Sequence, residues 1–196
     1  HSASWEIALR LQLAAIARQA WLLGRGVEPL ACFSDGRTFR IFVRLKRSLF
    51  EGEESQLGFI ARCESCGEQF SQSLIKLKEW GKCCCGMGLS RLIISGPLWL
   101  GPLQSPDILA KIKKLSKQLS VPIVDRSEKL IDRLEADNGL PVFSWSAHEL
   151  ASRAALDAPP SLDLMIKLLQ SEGYQACRSG VVSGHFRTNA SIGELL

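Results

Sequence analysis

The chain has 196 residues, enough for one large domain or two small ones. Hydrophobic residues make up 46% of it, which predicts a folded protein and excludes wholesale disorder. No apolar run approaches the roughly 18–20 residues of a membrane span, and the first residues lack the pattern of a signal peptide. We therefore expect a soluble cytoplasmic protein. The net charge of +4 permits nucleic-acid binding without requiring it.

The first elements predicted along the chain are a helix and a β-hairpin. The helix covers residues 4–23 and is apolar almost all round, which indicates that it is covered on more than one side. Gly24 and Gly26 end it. Residues 28–33 and 38–46 then read as two strands joined by a tight turn.

The second strand of this hairpin has a basic face. Its alternate residues Phe39, Ile41, Val43 and Leu45 point one way, and the opposite face carries Arg40, Phe42, Arg44 and Lys46. Cations can bind phosphates and a ring can stack on a base, so Arg40, Arg44 and Lys46 are candidate RNA contacts. A solvated edge strand is at least as simple an interpretation of the same residues.

The middle of the chain is a series of short segments. An acidic loop or linker, a cysteine region, a turn-rich connector and two helices are predicted over residues 48–56, 57–95, 95–103, 105–119 and 127–136. Lys111 and Lys114 belong to the wet face of the first of these helices. They are also candidate contacts to an RNA backbone.

The tail reads as helix, turn, helix and β-hairpin. The two helices cover residues 146–156 and about 160–173, and the strands cover 174–178 and 182–188. This order suggests a winged helix. Arg178, His185 and Arg187 lie on its predicted strands and are candidate phosphate contacts.

Five of the seven cysteines lie between residues 63 and 85, and their odd number fits reduced thiols better than a disulfide framework. The segment Cys63-Glu64-Ser65-Cys66-Gly67 is a C-x-x-C-G knuckle, whose spacing lets two thiolates reach one tetrahedral ion. Cys85 precedes a glycine as Cys66 does, which makes it a candidate ligand. Cys83 is the candidate for the fourth position, with Cys84 as the alternative. The prediction is a structural zinc site of zinc-ribbon type. Reduced thiols without metal are the other interpretation.

Catalytic patterns are largely missing from the chain. No Gly-x-Gly-x-x-Gly loop follows a predicted strand, and the three histidines are scattered. No nucleophile and base stand in a recognisable arrangement. We therefore expect no complete active site within these residues.

Several segments together resemble the later part of the tRNA guanine-26 N2-dimethyltransferases. The most specific are Gly96-Pro97-Leu98-Trp99-Leu100-Gly101-Pro102-Leu103 and Arg187-Thr188-Asn189-Ala190. The others are residues 6–10, 15–18, 26–30, 38–44, the Cys63/Cys66 pair, 148–151 and 173–174. That family uses S-adenosylmethionine to place two methyl groups on the exocyclic amine of a guanine in tRNA. Its donor site and catalytic acidic motif lie in an amino-terminal Rossmann-like domain.

The resemblance implies an α/β (α+β) chain in two parts. Residues 1–50 would be the last helix and strands of the Rossmann-like domain, and residues 51–196 would be a carboxy-terminal tRNA-binding domain with the knuckle and a winged-helix-like end. The expected partners are tRNA and the missing methyl-donor domain, with neither DNA nor a membrane. The alternative function is a zinc-ribbon and winged-helix module that binds protein.

Overall fold

The structure is a computed structural model that describes residues 4–34, 38–81, 83, 85, 91–118 and 125–196, with the backbone alone for residues 4, 125 and 126. The α-helices in these ranges are α1 (Ser4–Leu22), α2 (Pro106–Ser116), α3 (Asp125–Ala136), α4 (Ala147–Arg153), α5 (Leu162–Ser171) and α6 (Ile192–Leu195). The strands are β1 (Val27–Ser34), β2 (Phe39–Leu45), β3 (Leu57–Cys63), β4 (Gln69–Ser73), β5 (Leu92–Trp99), β6 (Trp145–Ser146), β7 (Ala176–Arg178) and β8 (His185–Thr188). They form small antiparallel sheets with the orders β1-β2, β4-β3-β5 and β6-β8-β7. The described part of the chain is a mixed α/β fold.

Helix α1 lies where the sequence predicts it and ends in the predicted way. Gly24 has a φ of 66°, and the amide of Arg25 donates to the carbonyl of Ala20 at 2.9 Å. Glycine reaches this left-handed closure without a steric penalty because it has no Cβ. One side of α1 is buried, while Trp5, Leu11 and Leu22 are 43%, 40% and 78% exposed. None of the helices in the described ranges has both the length and the apolar character needed to cross a bilayer.

The predicted hairpin is present as strands β1 and β2, and its turn at residues 35–37 lies outside the described residues. Phe39, Ile41 and Val43 pack against the core, while Arg40, Phe42 and Arg44 on the other face are exposed. Leu45 departs from the predicted apolar face. It is the last residue of β2 and is 60% exposed.

One hydrophobic core joins the first and last parts of the chain. Leu9, Leu13, Val27 and Cys32 from the first 50 residues share it with Leu57, Trp99, Leu103, Val181 and Val182. Residues on both sides of the predicted division at residue 50 are therefore in close contact. Two domains with that boundary remain a prediction.

The second sheet is the part of the fold that the sequence did not define. Strand β3 lies between β4 and β5, and β5 runs to Trp99 through the segment expected to be a turn-rich connector. The pairing of β5 with β3 shifts between Gly58 and Ile60, which places Gly96 and Pro97 in an irregularity opposite them. A proline is tolerated there because its missing N–H costs no ladder hydrogen bond.

The tail contains the predicted helices and strands in the predicted order. Ser146 and Ser161 are the N-caps of α4 and α5, and their hydroxyls accept from the amides of Glu149 and Leu164. A second core fills the space beneath these elements; it includes Trp145, Leu150, Leu169, Phe186 and Ile192. Strand β6, which pairs with β8, and helix α6 were not predicted. The winged-helix description of this tail remains a prediction.

Candidate metal centre and nucleic-acid interface

The cysteine knuckle begins where β3 ends. The amide of Gly67 donates to the carbonyl of Cys63 at 3.0 Å, and the amide of Cys63 donates to the carbonyl of Glu68 at 2.9 Å. Gly67 has a φ of 83°, a conformation that favours glycine. This tight turn brings the thiols of Cys63 and Cys66 together.

The described residues contain a group of four thiols, from Cys63, Cys66, Cys83 and Cys85, whose sulfur atoms all lie within 4.8 Å of one another. The Cys63 sulfur lies 3.5 Å from that of Cys83 and 3.9 Å from that of Cys85. Four thiolates bound to one zinc ion at 2.3 Å would be about 3.8 Å apart. The Cys83 and Cys85 sulfurs, 2.7 Å apart, would therefore have to separate. Cys84, the alternative ligand, lies outside the described residues.

These four thiols are the set that the sequence analysis selected, and their chemistry suits a soft or borderline cation. Burial raises the pKa of the Cys66 thiol, and the thiols of Cys63 and Cys85 beside it raise that pKa further. A divalent cation has the opposite effect on such a group because it stabilises the thiolate form. Four protein ligands would leave no open position for a substrate.

Arg153 contacts the knuckle from the tail, and it shares the carboxylate of Glu149 with Arg62. Arg153 of α4 donates from Nη1 to the carbonyl of Ser65 at 2.5 Å, and from Nε and Nη2 to one carboxylate oxygen of Glu149 at 3.0 and 2.9 Å. Arg62 of β3 pairs with the same carboxylate oxygen. Sequence reasoning missed these contacts. The only local signal was the i,i+4 spacing of Glu149 and Arg153.

The basic face of β2 is exposed in the structure. Arg44 and Lys46 both pair with Glu28 on β1, at 3.0 and 2.7 Å. Two cations thus share one carboxylate, so these three residues carry one excess positive charge, and Arg40 is exposed on the same face. The ring of Phe42 is 53% exposed between Arg40 and Arg44.

The remaining predicted RNA contacts lie in three different settings. Lys111 and Lys114 are exposed on α2, whereas Lys113 between them bridges to Asp132 and Glu135 of α3. Arg178 is exposed and makes a two-point ion pair with Asp163 of α5. Lys111 and Lys114 lie on α2 and Arg178 lies on β7, so none of the three belongs to the basic face of β2.

The structure corrects the prediction for Arg187 and His185. Arg187 is only 2% exposed, and its guanidinium pairs with Glu6 of α1 and with Asp137. His185 is 6% exposed, and its Nδ1 lies 3.1 Å from the hydroxyl of Ser144. Neither side chain can reach a phosphate from these positions because both are enclosed by protein.

A buried ion-pair cluster results, made of Glu6, Arg10, Asp137 and Arg187. Arg10 donates from Nε to Glu6 at 2.7 Å and from Nη1 to the carbonyls of Trp99 and Gly101 at 2.9 and 3.1 Å. Burial acts to raise the pKa of Glu6, but Arg187 and Arg10 outweigh it and hold that pKa below the ordinary value. Arg10, Asp137 and Arg187 also line a cavity of about 220 Å³. The cluster connects α1 to the tail.

Fold and site together define a mixed α/β protein with a four-cysteine cluster, a basic strand and a tail connected to its first helix by buried ion pairs. The family model of N2,N2-dimethylguanosine tRNA methyltransferase matches residues 1–196. The chain belongs to this family, which confirms the resemblance seen in its sequence.

Individual relatives agree with the family match. The tRNA (guanine(26)-N(2))-dimethyltransferase of Methanosphaerula palustris is 29% identical over 189 residues, which are 95% of this chain and 50% of that protein. The Pyrococcus abyssi protein of the same name is 29% identical over 188 residues, covering 94% and 46% of the two chains. The chain therefore spans about half the length of these curated relatives.

A solved structure has the same fold. Trm1 from Pyrococcus horikoshii, in complex with S-adenosyl-L-methionine, matches 97% of this chain and 48% of its own with a TM-score of 0.78. The identity is 23%, so the match shows the shared fold alone.

Proposed function

We propose that this chain is the tRNA-holding part of an S-adenosylmethionine-dependent tRNA (guanine-26 N2)-dimethyltransferase. Methyl-donor binding and catalysis would belong to residues outside this chain. The observation that carries the proposal is the family match over residues 1–196, a stretch that corresponds to half of each dimethyltransferase. Holding the tRNA would rest on sequence-independent phosphate contacts, which position a substrate without performing chemistry on it.

The β2 face is the best candidate for the tRNA contact. It combines exposed guanidinium groups with the exposed ring of Phe42, a pairing that suits phosphates and an unstacked base. Lys111 and Lys114 extend the candidate set along α2. Arg178 is a weaker candidate, because Asp163 binds its guanidinium at two points, whereas Arg44 and Lys46 share a single carboxylate.

The exposed side of α1 supports the proposal that a neighbouring domain packs against this helix. Trp5, Leu11 and Leu22 leave apolar surface uncovered on a helix whose other side is buried. Burying such surface is favourable by about 25 cal/mol per Å². The methyl-donor domain is the partner that would cover it.

The four thiols would hold a structural zinc ion. Zinc would supply a rigid cross-link between the turn at Cys63 and Cys66 and the segment of Cys83 and Cys85. Metal analysis should find about one zinc per chain in the wild type. Cys63→Ser and Cys83→Ser should each lose most of it, whereas Cys177→Ser, at a half-buried lone thiol, should keep it. Equal zinc content in all three variants would contradict a zinc site at these cysteines.

Binding of a tRNA transcript, measured by fluorescence anisotropy over a series of salt concentrations, tests the proposed function. Arg40→Ala with Arg44→Ala should weaken binding about tenfold and lower the salt slope by about 2, since two phosphate contacts are lost. Lys76→Ala with Lys78→Ala removes the same charge elsewhere and should change affinity much less.

Two outcomes would contradict the proposal. Unchanged RNA affinity in the Arg40/Arg44 variant, together with equal binding of tRNA and a neutral polymer, would favour the protein-binding module. Transfer of tritiated methyl groups to tRNA by the chain alone would show that catalysis does not require residues outside it.

A further inference from the structure

We infer that Arg153 is a positioning residue for the cysteine cluster, and that it couples metal binding at the knuckle to the docking of helix α4. The inference rests on the metal site proposed above and is independent of tRNA binding. It begins from a contact between residues 88 positions apart, the hydrogen bond from Arg153 Nη1 to the carbonyl of Ser65 at 2.5 Å.

The position of Ser65 gives this contact its importance. Ser65 lies between Cys63 and Cys66, and its carbonyl belongs to the peptide group that joins it to Cys66, so holding this carbonyl restrains the backbone that carries the Cys66 thiol. The amides of Gly67 and Cys63 already hold the base of the turn. Arg153 holds the tip of the same turn through the carbonyl of Ser65.

The guanidinium of Arg153 is itself fixed. Glu149, one turn earlier on α4, accepts from both Nε and Nη2, and Arg62 pairs with the same carboxylate. A Cβ at Gly67 would lie 2.9–3.1 Å from the Arg153 guanidinium, so in its present position the guanidinium packs closely against the glycine. Glu149 on the helix and Gly67 in the turn therefore both favour this position of the Arg153 side chain.

Charge adds a second effect of the same sign. Four thiolates around a divalent cation carry two excess negative charges. Arg153 places a positive charge directly on the turn, whose other charged side chains are the carboxylates of Glu64 and Glu68. Groups outside the ligand set that orient ligands and balance their charge typically alter metal affinity by about 10–100-fold.

The coupling must act in both directions, because linkage is reciprocal. If Arg153 strengthens metal binding, metal binding must strengthen the docking of α4 on the knuckle to the same extent. Metal binding would then stabilise the contact of helix α4 with the knuckle. A purely structural arginine would leave α4 equally protected with and without the ion.

The experiment measures Zn²⁺ affinity of the 196-residue chain by competition with a chromophoric chelator, together with hydrogen exchange of α4 with and without Zn²⁺. Arg153→Ala should weaken affinity about tenfold and abolish the Zn²⁺-dependent protection of α4. Arg153→Lys should fall short of the wild type, since only a planar fork reaches Ser65 and Glu149 together. Lys113→Ala, which breaks the ion pairs between α2 and α3, is the matched control and should bind Zn²⁺ like the wild type.

The outcomes separate the inference from the site on which it rests. A wild-type chain that binds no Zn²⁺ removes the metal site. If the wild-type chain binds Zn²⁺ and the affinity of Arg153→Ala is within twofold of it, the metal site stands and the proposed role of Arg153 is wrong. The same conclusion follows if Zn²⁺ protects α4 to the same extent in the two chains. A lysine variant equal to the wild type would also overturn it.

Discussion

Arg187 shows how a single residue can have a different role from the one its local sequence suggests. It lies on a short polar strand next to His185, a pattern typical of a solvated wing that contacts phosphate. In the structure its guanidinium donates to the carbonyls of Pro141 and Phe143 at 2.7 and 3.3 Å and pairs with Glu6 and Asp137. Glu6 is 181 residues away along the chain. No local pattern encodes such a partner.

Replacement of Arg187 should be costly for stability. Arg187→Met leaves the carboxylates of Glu6 and Asp137 buried without their main counter-charge. Breaking one side of a buried pair typically costs about 3–5 kcal/mol of unfolding free energy. Urea denaturation followed by circular dichroism measures the loss. Arg178→Met breaks an exposed pair with Asp163 and should change stability little, so equal losses in the two variants would show that the buried cluster does not stabilise the fold.

His185 should make stability depend on pH. Burial lowers its pKa below the ordinary value of 6.5 against the attraction of Glu6, with Arg187 and Arg62 lowering it further. The unfolded chain therefore binds a proton more readily, and stability must fall as the pH drops below about 6.5 towards the lower folded-state pKa. His185→Gln should flatten this fall in unfolding free energies measured between pH 7 and 5. His148→Gln, at an exposed histidine, should retain the wild-type profile, and a fall that persists unchanged in His185→Gln would assign it to other groups.

At the scale of elements, local patterns predicted what local interactions determine. Helix α1 follows from its uninterrupted apolar sequence and Gly24, and α4 and α5 follow from their serine caps. The sheet of β3, β4 and β5 could not be predicted in the same way. Its strands are interrupted by Gly58 and by the Gly96-Pro97 irregularity, and the paired residues of β3 and β5 are 29 to 42 positions apart in the chain. The four cysteines were predictable from spacing, whereas Arg153 was not, because its partner Ser65 belongs to another element.

Glu53 supplies a prediction at a junction of elements. The sequence places it in an acidic loop, yet it is fully buried. Its carboxylate accepts from Trp21 Nε1 and the Val27 amide at 2.7 Å each, and from the Phe50 amide at 3.2 Å. It thus connects the end of α1, the start of β1 and the loop before β3.

Loss of this carboxylate should leave buried donors without partners. Glu53→Ala should lower the unfolding free energy by about 1–3 kcal/mol, the range for an unsatisfied buried hydrogen-bonding group. Chemical denaturation of this variant is compared with that of Glu54→Ala, the exposed neighbouring glutamate, which should stay close to the wild type. If Glu54→Ala is the more destabilised of the two, the junction does not depend on Glu53.

At the scale of the whole molecule, the tail and the first helix belong to one packed unit. Val181 and Val182 enter the same core as Leu9 and Leu13, and the buried ion pairs connect the same two regions. The chain spans about half the length of its relatives. Within it, residues of the first helix and of the tail bury each other. The predicted division at residue 50 therefore runs through a shared hydrophobic core, and two domains with that boundary remain a prediction.

Hydrogen exchange can decide whether that division is also a thermodynamic one. Val181→Ala with Val182→Ala removes buried methyl groups from the shared core, and we expect a loss of about 2 kcal/mol, or roughly thirtyfold faster exchange. Because α1 contributes to the same core, its amides should accelerate by the same factor as those of β8. Leu164→Ala with Leu168→Ala removes exposed side chains from α5 and should leave α1 unchanged. Acceleration confined to the tail, with α1 exchanging as in the wild type, would mean that residues 1–50 open independently of residues 51–196.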